Sequence, residues 1–172
     1  MQESAEDLVK QLGLQRHPEG GYYVETDRQK DVVRTPFVEG VPPRALATSI
    51  YYLLARDSPH GYFHMNKSVT YHVHHQGRAE YTLITPRAGG GAPLIERHII
   101  GSDVENGESR LLIVGTGGDV QDKAGKAGCL ITEVVVPGFH WEDHAFMTKK
   151  VFRELMGEGE EAKALERYVK DA

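Results

Sequence analysis

The sequence predicts an all-β fold, a barrel or sandwich of short antiparallel strands. Three observations carry this. Runs of β-branched and aromatic residues recur at short intervals, as in Tyr22-Tyr-Val-Glu-Thr, Ile50-Tyr-Tyr-Leu-Leu, Leu111-Leu-Ile-Val and Ile131-Thr-Glu-Val-Val-Val. Glycine-rich stretches separate such runs, at 89–91, 101–107 and 115–128. Helical periodicity is confined to the two ends.

Taken in order, Ser4 caps a helix reaching about Leu12, with Glu6 and Asp7 in its first turn and Gly13 ending it. Leu8, Val9 and Leu12 form its apolar stripe. His17-Pro-Glu-Gly-Gly is a turn by composition and leads into a strand over residues 22–26. Residues 27–43 are polar, broken by Pro36, Pro42 and Pro43, and read as a long loop. Residues 45–55 read as a buried strand.

The stretch 61–77 holds four of the nine histidines, His64, His72, His74 and His75. Residues 69–75 predict a strand that ends at Gln76-Gly77. Alternation puts Thr70, His72 and His74 on one face and Val69, Tyr71, Val73 and His75 on the other. Further strands are predicted over 79–85, 94–100 and 111–114. Residues 115–128 read as a glycine-rich turn around a brief strand at Val120-Gln121, and residues 129–136 as a long strand. From Asp143 the period becomes helical, with Phe146, Val151, Phe152 and Leu155 on one face, and a last helix follows over 160–169.

Bulk properties narrow the function classes. A chain of 172 residues is about one domain with room for a core. The net charge of -5 and the lack of a basic run argue against a nucleic-acid partner. No apolar stretch reaches bilayer length and the N-terminus has no signal-peptide core, so a cytoplasmic protein without a membrane partner is expected. Cys129, the single cysteine, excludes an intramolecular disulfide and reads as a buried thiol. Gly115-Thr-Gly-Gly and Gly89-Gly-Gly lack the Lys-Ser/Thr ending of a phosphate loop and read as turns.

Three segments together resemble an uncharacterised branch of the cupin superfamily, the cupin-5-like domain of unknown function. They are His17-Pro-Glu-Gly-Gly-Tyr-Tyr, then Thr48-Ser-Ile-Tyr-Tyr-Leu-Leu followed by Phe63-His64, then Pro137-Gly-Phe-His-Trp-Glu-Asp. The resemblance implies a double-stranded β-helix, a jelly-roll-like barrel, with short flanking N- and C-terminal helices. It implies one domain, with the barrel over about 21–141, a helical tail over 143–172 and a homodimer. Many cupins bind a metal through a motif of the form G-x5-H-x-H-x(3,4)-E-x6-G. Counted back from Gly77, its ligand slots fall on His64, Asn66 and Thr70. The second motif, P-x-G-x-x-H, falls on Gly115, Gly117 and Val120. One ligand of four remains, so no metal or other cofactor is expected at these slots.

The expected site is therefore a barrel cavity that takes a small polar ligand, anionic or sugar-like, on His64, Asn66, Thr70, His72, His74 and Tyr52. Two enzymatic alternatives stay open. One is metal-free epimerisation or isomerisation by a histidine and a tyrosine, as in sugar-nucleotide epimerases of the superfamily. The other is an oxygenase or hydrolase with a metal on a rearranged set of His64, His72 and His74. His17 and Glu19 either line the barrel mouth or shape their turn. His140, Glu142 and His144 would share a face if that segment were extended.

Overall fold

The computed structural model describes residues 3–116 and 119–170. Helix α1 (Ala5–Leu12) opens the chain. Ser4 Oγ accepts from the Asp7 N–H at 3.1 Å, and Gly13 closes the helix in the left-handed region. Its buried Leu8 packs with Leu14, Leu53 and Leu130 on the outside of the sheet.

Strands β1 (Gln15–Arg16) and β2 (Tyr22–Arg28) follow, then β3 (Val32–Val33) and β4 (Arg44–Ala45), which form a two-stranded hairpin of their own. The segment read as a loop thus holds the end of β2 and all of β3. Strand β5 (Thr48–Leu54) pairs antiparallel with β2, and β6 (His64–Asn66) carries the first histidine of the cluster. After it come β7 (Val69–Thr85), β8 (Leu94–Ile100), β9 (Leu111–Val114), β10 (Asp119–Val136) and β11 (His144–Phe146). All but β3 and β4 belong to one nine-stranded sheet, ordered β1-β2-β5-β10-β6-β11, with β7 joining β10, β8 and β9. Every pairing within it is antiparallel.

Two long strands, β7 and β10, organise the sheet. Both pass through glycine positions that the sequence marks as ends. Gly77 has φ +79° and Gly128 φ +77°, and the ladder shifts register between Ala124/Cys129 and again between Leu130/Ile131. A Cβ on Gly77 would collide with the Gly128 carbonyl, so the two backbones meet there as only glycines can. Gln76-Gly77 therefore bends a strand instead of ending it, and the predicted strands at 69–75 and 79–85 are one element. Similarly, what reads as a glycine turn around Val120 is the first half of β10, because Asp119 to Ala124 find partners on β7. Gly117 and Gly118 lie outside the described residues. Alternation holds along the first half of β7: Thr70, His72 and His74 are buried, while Tyr71, Val73 and His75 are exposed.

The barrel core gathers Tyr52, Leu54, Tyr81, Ile100, Ile131 and the Cys129 thiol. The C-terminal end holds the two expected helices, but the first starts later than Asp143. Residues 141–143 form a 3-10 turn and β11 pairs with β6 before α2 (Lys149–Met156) and α3 (Glu160–Leu165) begin. These helices and the 3-10 turn after them (Glu166–Tyr168) cover one end of the barrel through Phe152, Leu165 and Tyr168 packed with Phe63 and Ile84. No helix among the described residues is long and apolar enough to cross a membrane.

A buried ion pair fixes the entry to β11. Arg44 Nε donates to Asp143 Oδ2 at 2.6 Å and Nη2 to Oδ1 at 3.3 Å, with both side chains 2% exposed. Arg44 also donates to the Pro42 carbonyl at 2.9 Å and reaches Glu142 at 3.1 Å. Removing one partner of such a pair leaves a buried charge unmatched. Asp143→Ala is expected to cost about 3–5 kcal/mol by chemical denaturation, and the paired Arg44→Met/Asp143→Leu variant much less. A cost below about 1 kcal/mol for Asp143→Ala, as for an exposed pair, would refute this reading.

Candidate functional site

The barrel encloses a cavity of about 140 Å³. Its wall carries His64 and Asn66 from β6, Thr70 and His72 from β7, and Glu133 and Val135 from β10. Tyr23, Glu25 and Arg28 from β2 line it too, as do Phe139 and Trp141 from the segment before β11. His17 and Glu19 complete it from the loop between β1 and β2. The structure thus brings four of the six expected site residues to one cavity: His64, Asn66, Thr70 and His72. Tyr52 and His74 lie away from it. Tyr52 packs in the core edge-on to His17 at 5.8 Å, and the phenol on the cavity wall is its cross-strand neighbour Tyr23. His74 sits toward the glycine bend, where its Nε2–H donates to the Gly77 carbonyl at 2.9 Å. A metal set of His64, His72 and His74 does not assemble.

Glu19 is placed by the glycines that follow it. Gly20 has φ +103° and its backbone presses on His60, while Gly21, φ +69°, lies against the Leu53 carbonyl. The Tyr62 N–H donates to the Glu19 carbonyl at 2.7 Å, which fastens the loop beside β6. The Glu19 carboxylate is then 9% exposed among three imidazoles. Oε1 lies 2.7 Å from His144 Nε2, and Oε2 lies 3.4 Å from His64 Nε2 and 3.6 Å from His17 Nδ1. Burial pushes the carboxyl up, but His64, the contact with His144 and His17 outweigh it and hold it down at about 2. Burial lowers the His17 imidazole despite Glu19, and its Nδ1 accepts the Glu19 N–H at 3.1 Å.

His144 is a residue that sequence reasoning left out of the site. The 3-10 turn at 141–143 breaks the supposed His-Glu-His face, leaving the His140 and Glu142 side chains 47% and 60% exposed. His144 points inward instead, stacked on His64 at 5.3 Å and boxed by Phe139, Trp141 and Phe146. The register of β6 with β11 explains the encounter, since Asn66 faces His144 and His64 faces Phe146. Among the described residues, Glu19, His64 and His144 are the one group of three or more His, Cys, Asp or Glu whose ligand atoms lie within 4.8 Å of each other. Ser68 is a second residue that sequence reasoning passed over. It lines the cavity, is 1% exposed, and its Oγ has no hydrogen-bond partner.

Across the cavity, His72 Nδ1 lies 3.5 Å from both the Tyr81 hydroxyl and Glu133 Oε1. Burial, with His64 adding to it and Glu19 opposing, lowers this imidazole to about 3. In the unfolded chain it titrates near 6.5. The unfolded state therefore binds more protons between these values, so His72 lends stability above about 6.5 that is lost as pH falls toward about 3. Melting temperature should fall over that window, and less steeply in His72→Gln. An unchanged slope in the variant would refute the assignment.

Comparison with known proteins places the chain. The family described as Cupin superfamily (DUF985) matches residues 6–147. An uncharacterized protein of Saccharomyces cerevisiae is 36% identical over 157 residues, covering 84% of this chain and 75% of the yeast protein. Among solved structures, a hypothetical protein from Leishmania major aligns with a TM-score of 0.85 at 25% identity, over 98% of this chain and 100% of that one. A protein from Shewanella oneidensis aligns with a TM-score of 0.80 at 23% identity, over 99% of each chain. An oxalate decarboxylase of Bacillus subtilis, aligned over 90% of this chain and 34% of its own with a TM-score of 0.51 at 20% identity, shares the fold alone. With its jelly-roll barrel and the match across most of its length, the chain belongs to the DUF985 family of the cupin superfamily.

Proposed function

We propose that the protein binds a small, uncharged, polar molecule, sugar-like in its hydroxyl or carbonyl groups, in the barrel cavity. The observation that carries this reading is the Ser68 hydroxyl, buried in the cavity wall without a partner. A buried hydroxyl left unsatisfied costs about 1–3 kcal/mol, a cost that a ligand group or water supplying the missing bond removes. The volume supports a small guest, since about 140 Å³ is close to the roughly 150 Å³ of a cavity that admits benzene.

Charge selects among guests. Arg28 is the one lysine or arginine among the described residues lining the cavity, and it is committed to Glu25 by two bonds of 3.1 and 2.7 Å. His72 stays neutral at ordinary pH and Glu19 stays ionised. In the metal-free cavity an anion would meet a carboxylate and no spare cation, so of the two expected ligand types the sugar-like one fits better there. His72 is also a poor base at a pKa of about 3, because proton transfer is best served by a group near the working pH. That weighs against isomerisation through His72 and favours binding.

Calorimetric titration of chelator-treated protein with triose-to-hexose sugars and polyols, beside their phosphorylated and carboxylated forms, tests the reading. Neutral members are expected to bind. Ser68→Ala should weaken them by roughly 2- to 10-fold, one neutral hydrogen bond, while the melting temperature holds or rises. Binding of the anionic forms alone, or a Ser68→Ala variant that binds every sugar as the wild type does, would overturn it.

A further inference from the structure

We propose that Glu19, His64 and His144 form a binding site for one divalent first-row transition-metal ion. The set keeps His64 from the inherited slots and takes Glu19 and His144 in place of Asn66, Thr70 and Val120, which offer no suitable ligand. It deepens the ligand-site reading and rests on it for what completes the ion's coordination on the cavity side.

Proton inventory is the first support. His64 Nδ1 lies 2.9 Å from the Tyr62 carbonyl, which can only accept, so Nδ1 carries the proton. In the neutral ring Nε2 is then a bare lone pair, and it faces Glu19 Oε2 at 3.4 Å. Two acceptors so placed repel each other unless a metal ion lies between them or Nε2 takes up a proton. Imidazoles that ligate through Nε2 characteristically donate Nδ1–H to a carbonyl or carboxylate, the arrangement His64 already has.

His144 supplies the second support. Its Nε2 is buried and 2.7 Å from Glu19 Oε1, yet the approach falls outside hydrogen-bond geometry, leaving that nitrogen without a hydrogen-bond partner. A ring nitrogen and a carboxylate oxygen this close, and not hydrogen-bonded to each other, are placed to share an ion. Neighbouring donors on one ion held at about 2 Å stand about 3 Å apart, and the contacts of 2.7 and 3.4 Å bracket that spacing. The three side chains are 3 to 17% exposed, and among the described residues Glu19 has histidines for charged neighbours within 4 Å, not lysine or arginine.

Two imidazoles and one carboxylate suit zinc or iron and leave coordination positions open, since a first-row ion takes four to six donors. His64 and Glu19 line the cavity, so those positions face the guest. A metal there would act as a Lewis acid toward a hydroxyl or carbonyl oxygen.

The test titrates chelator-stripped full-length protein with cobalt(II), read by visible absorption and calorimetry, with elemental analysis after zinc loading. One ion per chain and a d–d band are expected. Glu19→Gln and His144→Ala should each weaken binding by at least about 100-fold, at or beyond the roughly 10- to 100-fold that loss of an outer-shell partner costs. His74→Gln should retain the ion. Each variant is compared at matched far-ultraviolet circular dichroism, and Glu19→Gln, which keeps the side chain's shape, guards against loss through misfolding. Absence of stoichiometric cobalt or zinc, or binding untouched by Glu19→Gln, would show that a proton bridges the cluster and overturn the site. Sugar titration of the stripped protein fails or succeeds separately, so the two readings can be told apart.

Discussion

The site depends on one buried carboxylate. Glu19 enters the barrel on a loop that two left-handed glycines press against the backbone at His60 and Leu53, and it arrives ionised among imidazoles. An anion placed there is stable only with positive charge close by. The loop, β6 and β11 all converge to supply its neighbours: His17, His64 and His144. Behind the cavity wall, the Arg44–Asp143 pair serves the same end, because it fixes the turn that leads into His144.

The barrel places this cluster at one side of a cavity and neutral hydrogen-bonding groups around the rest. β7 contributes Thr70 and His72 because its alternation turns those positions inward, and β6 contributes His64 and Asn66. Ser68, between these strands, has its hydroxyl stranded against the open space. Such a layout would suit the proposed polar guest at one wall, with the proposed ion beside it supplying charge. The slots that serve as metal ligands in many other cupins remain on the wall as Asn66, Thr70 and Val120, side chains that can shape or hydrogen-bond a guest.

Much of the fold is legible in the chain because strand runs and terminal caps are local signals. Ser4 and Gly13 bound α1 where propensity places them, and Leu111 to Val114 reads directly as β9. Gly77 and the glycines before Cys129 mislead for one reason. A glycine that ends a strand and one that bends it look alike in sequence, and only the partner across the ladder, Gly77 against Cys129, distinguishes them. The site was half legible. His64 and His72 stand in a visible cluster, whereas His144 reaches it through the β6–β11 register, and Glu19 through a loop docked on Tyr62. The signal available for Glu19 was its place between a histidine and two glycines, a charged residue in a segment shaped for close backbone approach. His74 shows the converse: it shares a face with His72, yet the bend at Gly77 claims its ring.

Anomalous diffraction from zinc-loaded crystals, collected on both sides of the zinc absorption edge, tests the central claim most directly. The account predicts one strong difference peak per chain, bonded to a Glu19 carboxylate oxygen, His64 Nε2 and His144 Nε2, with its free side toward the cavity. A peak bonded elsewhere, or well-ordered density in which the Glu19 carboxylate is hydrogen-bonded to two protonated imidazoles without a metal, would contradict it.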